Sequence, residues 1–358
     1  MKKILFIIPT LTQTNGVASF IINYIDKMTL NNFKVDILYN DLRTSEKYID
    51  FFKKKGINIY KLSYVRDVGL KKYRKEIKSF FKENNNYDLI YSNVGYQTYF
   101  FYKEAKKYRI HNWAVHAHAT NASDNKVKNL IGNLLQKRVN KVCDYKFACS
   151  KLAGRAMFKR ENFIVINNAI DYSKYSFSDT CRKKIRDNLK IRDSEKVIGF
   201  VGRFVPQKNV FFFIDLIKKL SNQYRIVMIG NGIQKEEFLN VINSENLNDR
   251  FILINETSNV NEYYSMFDYF LLPSLFEGLP VVGVEAQANG LPCLFSDTIS
   301  NECKISENVV FLDRNNVDDW LKNIDKMARN NNLKLNDDFN IDIQAKKFED
   351  LLSKIVEE

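Results

Sequence analysis

Residues 268–297, DYFLLPSLFEGLPVVGVEAQANGLPCLFSD, constrain the fold more tightly than any other stretch of this chain. Residues 269–272 are an apolar run of strand length, closed by Pro273 and Ser274. A polar turn follows, Ser274-Leu275-Phe276-Glu277-Gly278-Leu279-Pro280. Residues 281–289 then read as a helix stopped by Gly290 and Pro292, and residues 292–295 as a second strand. Strand, turn, helix and strand in that order place the turn at the carboxyl end of a parallel sheet, where open α/β folds bind ligands. Two carboxylates belong to the unit. Glu277 lies in the turn and Glu285 about two turns into the helix, so both could face one cleft. Gly278 lets backbone approach a ligand, and helix amides can face an anion or a hydroxyl. Carboxylates there accept hydrogen bonds from the hydroxyls of a sugar or ribose. Taken alone, the pair reads more simply as a turn cap and a solvated helix residue.

The same alternation runs the length of the chain. Strands are expected at 4–8, 34–39, 57–62, 88–92, 113–118, 145–150 and 163–166. Helices fall between most of them, notably at 17–28, 70–82, 96–107 and 126–142. The pattern resets with an apolar strand at 196–202, and four more follow at 225–229, 251–254, 269–272 and 292–295. Two α/β domains, each a doubly wound parallel sheet and joined near residues 168–195, suit a chain of 358 residues. The final helix, 341–356, carries Ala345, Phe348, Leu351, Leu352, Ile355 and Val356 on one face.

Composition excludes several classes. The apolar run at 4–8 is too short for a signal-peptide core or a membrane span and reads as a buried strand, so a cytoplasmic protein is expected. Five cysteines, scattered and without metal spacing, fit neither a disulfide frame nor a zinc site. Charge is uneven: residues 1–170 hold 31 Lys and Arg against 13 Asp and Glu, a net of +18, while residues 171–358 hold 24 against 29. A basic half points to an anionic partner. No RRM, KH or finger motif speaks for nucleic acid, and basic patches serve anionic membranes equally well. In the helix at 70–82, Lys71, Lys72, Arg74, Lys75, Lys78 and Lys82 surround Leu70, Tyr73, Ile77, Phe80 and Phe81, a stripe that also suits packing on a sheet.

Further places carry chemistry. Thr14-Asn15-Gly16-Val17 turns from the first strand into a helix start, where amides can face an anion; with Gly16 alone it is no dinucleotide fingerprint. His116-Ala117-His118-Ala119-Thr120 puts two imidazoles on one face of a strand end, suited to hydroxyls, with no third ligand nearby for a metal. Gly202-Arg203-Phe204-Val205-Pro206-Gln207-Lys208-Asn209 offers two cations five residues apart, a forked and a point charge suited to a diphosphate; Gln207 rules out a Walker loop. Gly230-Asn231-Gly232 is a glycine turn after another strand. No Asp-x-Asp triplet occurs, so neither a metal nor any other cofactor is expected.

The run Pro-Ser-Leu-Phe-Glu-Gly-Leu-Pro, with Glu285, Gly290-Leu291-Pro292 and Ser296-Asp297, resembles the donor-site signature of retaining glycosyltransferases of family 4. The whole chain is similar to bacterial capsule and exopolysaccharide members of that family. The resemblance implies the GT-B fold: two Rossmann-like domains facing a cleft. Residues 1–170 would bind the acceptor and residues 171–340 the nucleotide sugar, with a helix at 341–358 returning to the amino-terminal domain. It implies that Glu277 contacts the donor sugar, with Gly278, Leu279 and Pro280 around it, and that Glu285 holds the ribose. Arg203 and Lys208 would hold the diphosphate beside Gly202, and Gly16 would lie near it, Asn15 replacing the second glycine of a usual pair. Gly230 would lie by the base. His118 would reach the sugar or the acceptor, with His116 as the second candidate. The similar Asn167-Asn168-Ala169-Ile170-Asp171 stretch, with Ala169 in place of glycine, reads as a structural crossover.

The function implied is retaining, metal-independent transfer of a hexose from a UDP sugar to a lipid-linked saccharide by an enzyme peripheral on the inner face of the plasma membrane. A nucleotide-sugar 2-epimerase of the same fold, or a basic protein binding anions or nucleic acid, are the rival readings.

Overall fold

The computed structural model describes residues 1–12, 15–118, 126–159, 162–257 and 259–358. They form two compact units: Met1–Ala169 with Ile341–Glu358, and Ile170–Asn340. In the first, β1 (Lys2–Ile8), β2 (Phe33–Asp41), β3 (Asn58–Ser63), β4 (Leu89–Ser92), β5 (Trp113–Ala117), β6 (Tyr145–Ala148) and β7 (Ile164–Val165) alternate with helices. These are α1 (Gly16–Lys27), α2 (Glu46–Lys54), α3 (Val65–Glu83), α4 (Thr98–Ala105), α5 (Lys126–Val142) and α6 (Lys151–Phe158). The second unit holds strands β8 (Lys196–Val201), β9 (Tyr224–Ile229), β10 (Phe251–Ile254), β11 (Tyr269–Leu272), β12 (Cys293–Ser296) and β13 (Val309–Leu312). Its helices are α7 (Asp179–Asn188), α8 (Phe212–Lys219), α9 (Lys235–Ser244), α10 (Val260–Met266), α11 (Val281–Ala288) and α12 (Val317–Ile324). Last comes α13 (Ile341–Glu357), which folds with the first unit.

Among the described residues the strands form two parallel sheets, ordered β3-β2-β1-β4-β5-β6-β7 and β10-β9-β8-β11-β12-β13. Each order reverses beside its first strand, so β1/β4 and β8/β11 are the topological switch points, where loops diverge and leave a crevice. The unbroken apolar sequence of β1 follows from burial on both faces. Ile4, Phe6 and Ile8 enter one core cluster and Leu5 and Ile7 the opposite one.

Two elements differ from the sequence reading. β13 adds a sixth strand to the second sheet, at its edge beside β12. Its four residues, Val-Val-Phe-Leu, are mostly half-buried, as an edge strand's are, though the run is as apolar and as long as residues 269–272. Helix α3 starts at Val65, earlier than the periodicity suggests, and breaks at Gly69 (φ 75°, ψ 158°) before the amphipathic part begins. In that part Tyr73, Ile77, Phe80 and Phe81 are buried in the core and Leu70 is exposed.

Helix α13 lies against α1. Phe348 meets Tyr24 edge-on, ring centroids 5.4 Å apart, and Ala345, Phe348, Leu352, Ile355 and Val356 are buried. Each large apolar side chain so buried contributes about 1.5–3 kcal/mol. A carboxylate fixes the register. Glu349 accepts from the Thr29 amide (3.0 Å), the Thr29 hydroxyl (2.8 Å) and the Leu30 amide (2.6 Å), just past the end of α1. Among the described residues no helix is long and apolar enough to cross a membrane.

Candidate active site

The chain leaves β8 through Gly202-Arg203-Phe204-Val205 and enters a 3-10 turn at Pro206–Lys208. This loop presses backbone to backbone against the loop after β9. The Phe204 amide donates to the Asn231 carbonyl (2.9 Å), and the Gln234 amide to that of Phe204 (3.0 Å). A Cβ on Gly230 would stand 1.9 Å from the Gly202 carbonyl oxygen, and one on Gly232 would stand 2.3 Å from that of Phe204. Close approach, not a ligand, therefore demands glycine at both positions.

The loop after β11 is tied to the same segment from the other side. The Leu275 amide donates to the Gln207 carbonyl (2.8 Å), Gln207 Nε2 to the Phe276 carbonyl (3.0 Å) and Asn209 Nδ2 to the Pro273 carbonyl (3.2 Å). These bonds bring the Lys208 ammonium onto the Glu277 carboxylate in an ion pair whose side chains are only 13% and 11% exposed. Gly278 and Leu279 are half-buried beside it, and Pro280, buried, is the N-cap of α11. That cap makes no side-chain hydrogen bond, and while the Gly283 amide donates to the Pro280 carbonyl (2.9 Å), the amides of Val281 and Val282 stay open to an acceptor among the described residues. Arg203 is exposed and, among the described residues, has no ion-pair partner. Because β8 and β11 flank the switch point of their sheet, Gly202, Arg203, Lys208, Gly230 and Glu277 to Pro280 gather at one crevice.

Glu285 is placed otherwise than the sequence suggests. It is the fifth residue of α11, little more than one turn in, and is 8% exposed. Its two carboxylate oxygens accept from the hydroxyls of Tyr175 and Tyr264, each at 2.7 Å. Burial raises its pKa above the ordinary carboxylate value, and the two tyrosine hydroxyls pull it part of the way back. The bland picture of a solvated helix residue is thus excluded. Each oxygen retains lone-pair capacity for one further hydroxyl.

The start of α1 also departs from expectation. Asn15 Oδ1 accepts from the amides of Val17 (2.9 Å) and Ala18 (3.2 Å), and Asn15 Nδ2 donates to the Thr10 hydroxyl (2.8 Å). The amides assigned to an anion are taken by the helix's own cap. The space above Gly16 is open. Thr14 lies outside the described residues, as do Ala119 and Thr120.

At the end of β5 the two imidazoles stack, centroids 4.0 Å apart, with Phe20 of α1 edge-on to both. His116 is fully buried, its Nδ1 2.8 Å from the Tyr91 hydroxyl. His118 is half-buried, its Nε2 2.8 Å from Asn93 Oδ1. Burial pushes the pKa of His118 down to about 3 and that of His116 well below its usual value, the latter also through its neighbour His118, so both are neutral at physiological pH. Among the described residues no group of His, Cys, Asp and Glu is arranged to hold a metal ion. A cavity of about 500 Å3 lies far from this chemistry, at the amino ends of β1 to β3 around Asp36. Its carboxylate is already engaged by Lys3, Asn58 and Tyr87.

Three residues at these sites escaped the sequence reading: Asn93, Tyr175 and Tyr264. Asn93 follows a strand directly at a switch point, which is a usable signal. The tyrosines meet Glu285 across 110 and 21 residues, and nothing local announces them.

Residues 181–346 match the family model for glycosyl transferases, group 1. The match takes in most of the second unit, so it is this unit that carries the family's signature. Relatives include EpsF of Bacillus subtilis (strain 168), named as a glycosyltransferase, 27% identical over 259 residues, 68% of this chain and 66% of EpsF. The Escherichia coli UDP-Gal:alpha-D-GlcNAc-diphosphoundecaprenol alpha-1,3-galactosyltransferase is 27% identical over 209 residues, 54% of each chain. The matched stretches thus span less than two thirds of either relative. Among solved structures, Anabaena HepE in complex with UDP and glucose superposes with a TM-score of 0.79 at 16% identity, covering 99% of this chain and 100% of its own. Sucrose-phosphate synthase from Thermosynechococcus elongatus gives 0.78 at 14%, over 99% of both. The fold is GT-B, with two doubly wound Rossmann-like domains.

Proposed function

We propose that this chain transfers a hexose from a UDP sugar to a hydroxyl of a lipid-linked saccharide in the synthesis of a cell-surface polysaccharide, with retention at the anomeric carbon. The observation that carries the reading is the crevice at the β8/β11 switch point. Two cations and the open amides of Val281 and Val282 stand there beside a carboxylate. A nucleotide-diphosphate sugar presents those groups with a dianionic bridge next to neutral hydroxyls.

In the proposed reaction the bond between the anomeric carbon and the diphosphate oxygen breaks, and negative charge grows on the departing phosphate. Arg203, Lys208 and the α11 amides meet that charge preorganised, which is where most of the rate enhancement would come from. The acceptor oxygen attacks the face the phosphate leaves, and its proton passes to the departing phosphate oxygen. With two cations on the diphosphate, no metal ion and no other cofactor is assigned a part. Lys208 has three donors and can keep Glu277 while binding phosphate. Glu277 is then held to accept from a sugar hydroxyl, Glu285 from the ribose, and His118 from a hydroxyl of the sugar or acceptor.

Support for the donor and acceptor comes from relatives. HepE was solved with UDP and glucose, and the Escherichia coli enzyme is named for a UDP-linked donor and a diphosphoundecaprenol acceptor. The basic first unit suits an anionic bilayer that would carry such an acceptor, so peripheral attachment at the inner face of the plasma membrane belongs to the proposal. The test is a panel of nucleotide sugars with and without a polyprenyl-diphosphate-linked saccharide, in the presence of a chelator. Acceptor-dependent release of UDP with chelator present supports the reading. An epimerised sugar with no transfer, or loss of transfer on chelation, overturns it in the corresponding part.

A further inference from the structure

Asn93 and His118 each stand one residue past a strand, β4 and β5, at the carboxyl edge of the first sheet. Their contact fixes more than a position. Asn93 Nδ2 lies 3.2 Å from the carbonyl oxygen of Ile7, which accepts and never donates. The amide therefore cannot be turned over: its nitrogen faces Ile7 and its oxygen faces His118. An amide oxygen also only accepts, so the atom 2.8 Å away, His118 Nε2, must carry a proton. A neutral imidazole has one N–H, which leaves Nδ1 with a bare lone pair. Among the described residues, that atom has no hydrogen-bond partner.

The surroundings agree. Among the described residues, the titratable groups facing the ring are His116 of β5, stacked on it, and Tyr91 of β4, bonded to His116; α1 contributes Phe20. No carboxylate among them draws a second proton onto the imidazole. His116 has no room to act in its place, since its Nε2 is buried with no partner among the described residues and its Nδ1 is held by Tyr91.

We propose that Asn93 is a positioning residue that locks His118 in the Nε2–H form, so that the crevice of the first unit offers Nδ1 as an acceptor for a substrate hydroxyl. The hydroxyl's identity rests on the transferase reading; the tautomer does not. A ligand group placed there must donate, so a fluorine or a methyl ether in place of that hydroxyl is rejected where a hydroxyl binds.

The chain has three histidines, which makes the test direct. In the 15N spectrum of histidine-labelled protein, assigned with His111→Gln and His118→Gln variants, His118 should show a protonated Nε2 and an unprotonated Nδ1 at pH 7. A protonated Nδ1 overturns the proposal without touching the transferase assignment. Asn93→Leu removes the acceptor, so the Nε2–H form should lose its dominance; an unchanged tautomer overturns the role of Asn93. Asn93→Asp keeps an acceptor but adds a charge that favours imidazolium. It should lower turnover at least tenfold at pH 6 and recover toward pH 9, while the parent shows no such limb. If this variant has the parent's pH profile, the lone pair on Nδ1 is not used.

Adding UDP-glucose or UDP-galactose separates the two sources of the hydroxyl from an acceptor saccharide added alone. Whichever shifts the Nδ1 signal supplies it, and no shift with any of them, each added to saturation by its own resonances, overturns the substrate half of the proposal.

Discussion

A carboxylate closed in with two tyrosine hydroxyls behaves differently from one in water, and the difference has a sign. Burial raises the pKa of Glu285 in the fold, so between the ordinary value and the raised one the native state binds more protons than the unfolded chain. Stability then falls as pH climbs through that window and stays lower above it. Glu285→Gln removes the buried charge. The variant should melt at or above the parent at pH 8, with the gap closing toward pH 4, while its affinity for UDP drops. A larger loss of melting temperature at pH 8 than at pH 4 would mean that the tyrosine bonds outweigh desolvation. The two cations differ in a comparable way. Arg203→Ala should cut turnover by about a hundredfold or more with no change in melting temperature, since the side chain is exposed and without an ion-pair partner among the described residues. Lys208→Ala should lose as much turnover and also some stability, because Glu277 is left enclosed without its cation. Near-parent rates in both would remove the diphosphate assignment. The cations, the glycine turns and Glu277 could be read from the sequence because each lies in the loop after a strand, while Glu285, inside α11, stood out through the family resemblance. The tyrosines on Glu285, and the Asn15 cap that occupies the α1 amides, depend on side-chain geometry that a strand-loop-helix pattern does not specify.

Secondary structure was legible wherever an element had its own periodicity. β11 and α5 stand in the sequence as they stand in the fold, and β1 does apart from Lys2 and Lys3 at its start, because a strand covered on both faces needs an unbroken apolar run and a long helix repeats its stripe. β13, Val-Val-Phe-Leu between Asn308 and Asp313, carries a strand's composition as plainly as β11 does, so it too could have been read from the sequence. Helix α13 shows how one polar residue can matter as much as the stripe. Its apolar residues hold it against α1, but Glu349 sets the register by taking two amides and a hydroxyl at Thr29 and Leu30. Leu30 has φ 56°, an uncommon value for leucine that this anchorage helps to maintain. Glu349→Ala leaves those amides without their charged acceptor and should cost about 2–3 kcal/mol in urea denaturation. Glu349→Gln should recover part of it. A loss under 0.5 kcal/mol would show that apolar packing alone seats the helix.

At the scale of the molecule the clearest feature is where the charge sits. The first unit, α13 included, holds 34 Lys and Arg against 18 Asp and Glu, and the second 21 against 24. Much of the excess lies on α3, where Lys71, Lys72, Arg74, Lys75, Lys78 and Lys82 are all exposed. The structure narrows what that helix can do at a bilayer. Tyr73, Ile77, Phe80 and Phe81 are already buried in the core, so no apolar stripe is left to insert. Attachment by this face would be electrostatic, with each nearby cation worth roughly 1 kcal/mol at an anionic surface. Arg74 counts for less, being 3.5 Å from Glu104. Such binding decays over a Debye length of about 8 Å at physiological salt and should vanish in high salt. The protein should therefore co-sediment with vesicles rich in anionic lipid, bind neutral vesicles weakly, and come off at high salt. Reversing Lys71, Lys75 and Lys78 to Glu should abolish co-sedimentation while UDP release in detergent solution with a soluble acceptor stays at the parent rate. Equal binding to anionic and neutral vesicles, or unchanged binding by the triple variant, would place the membrane contact elsewhere on the chain.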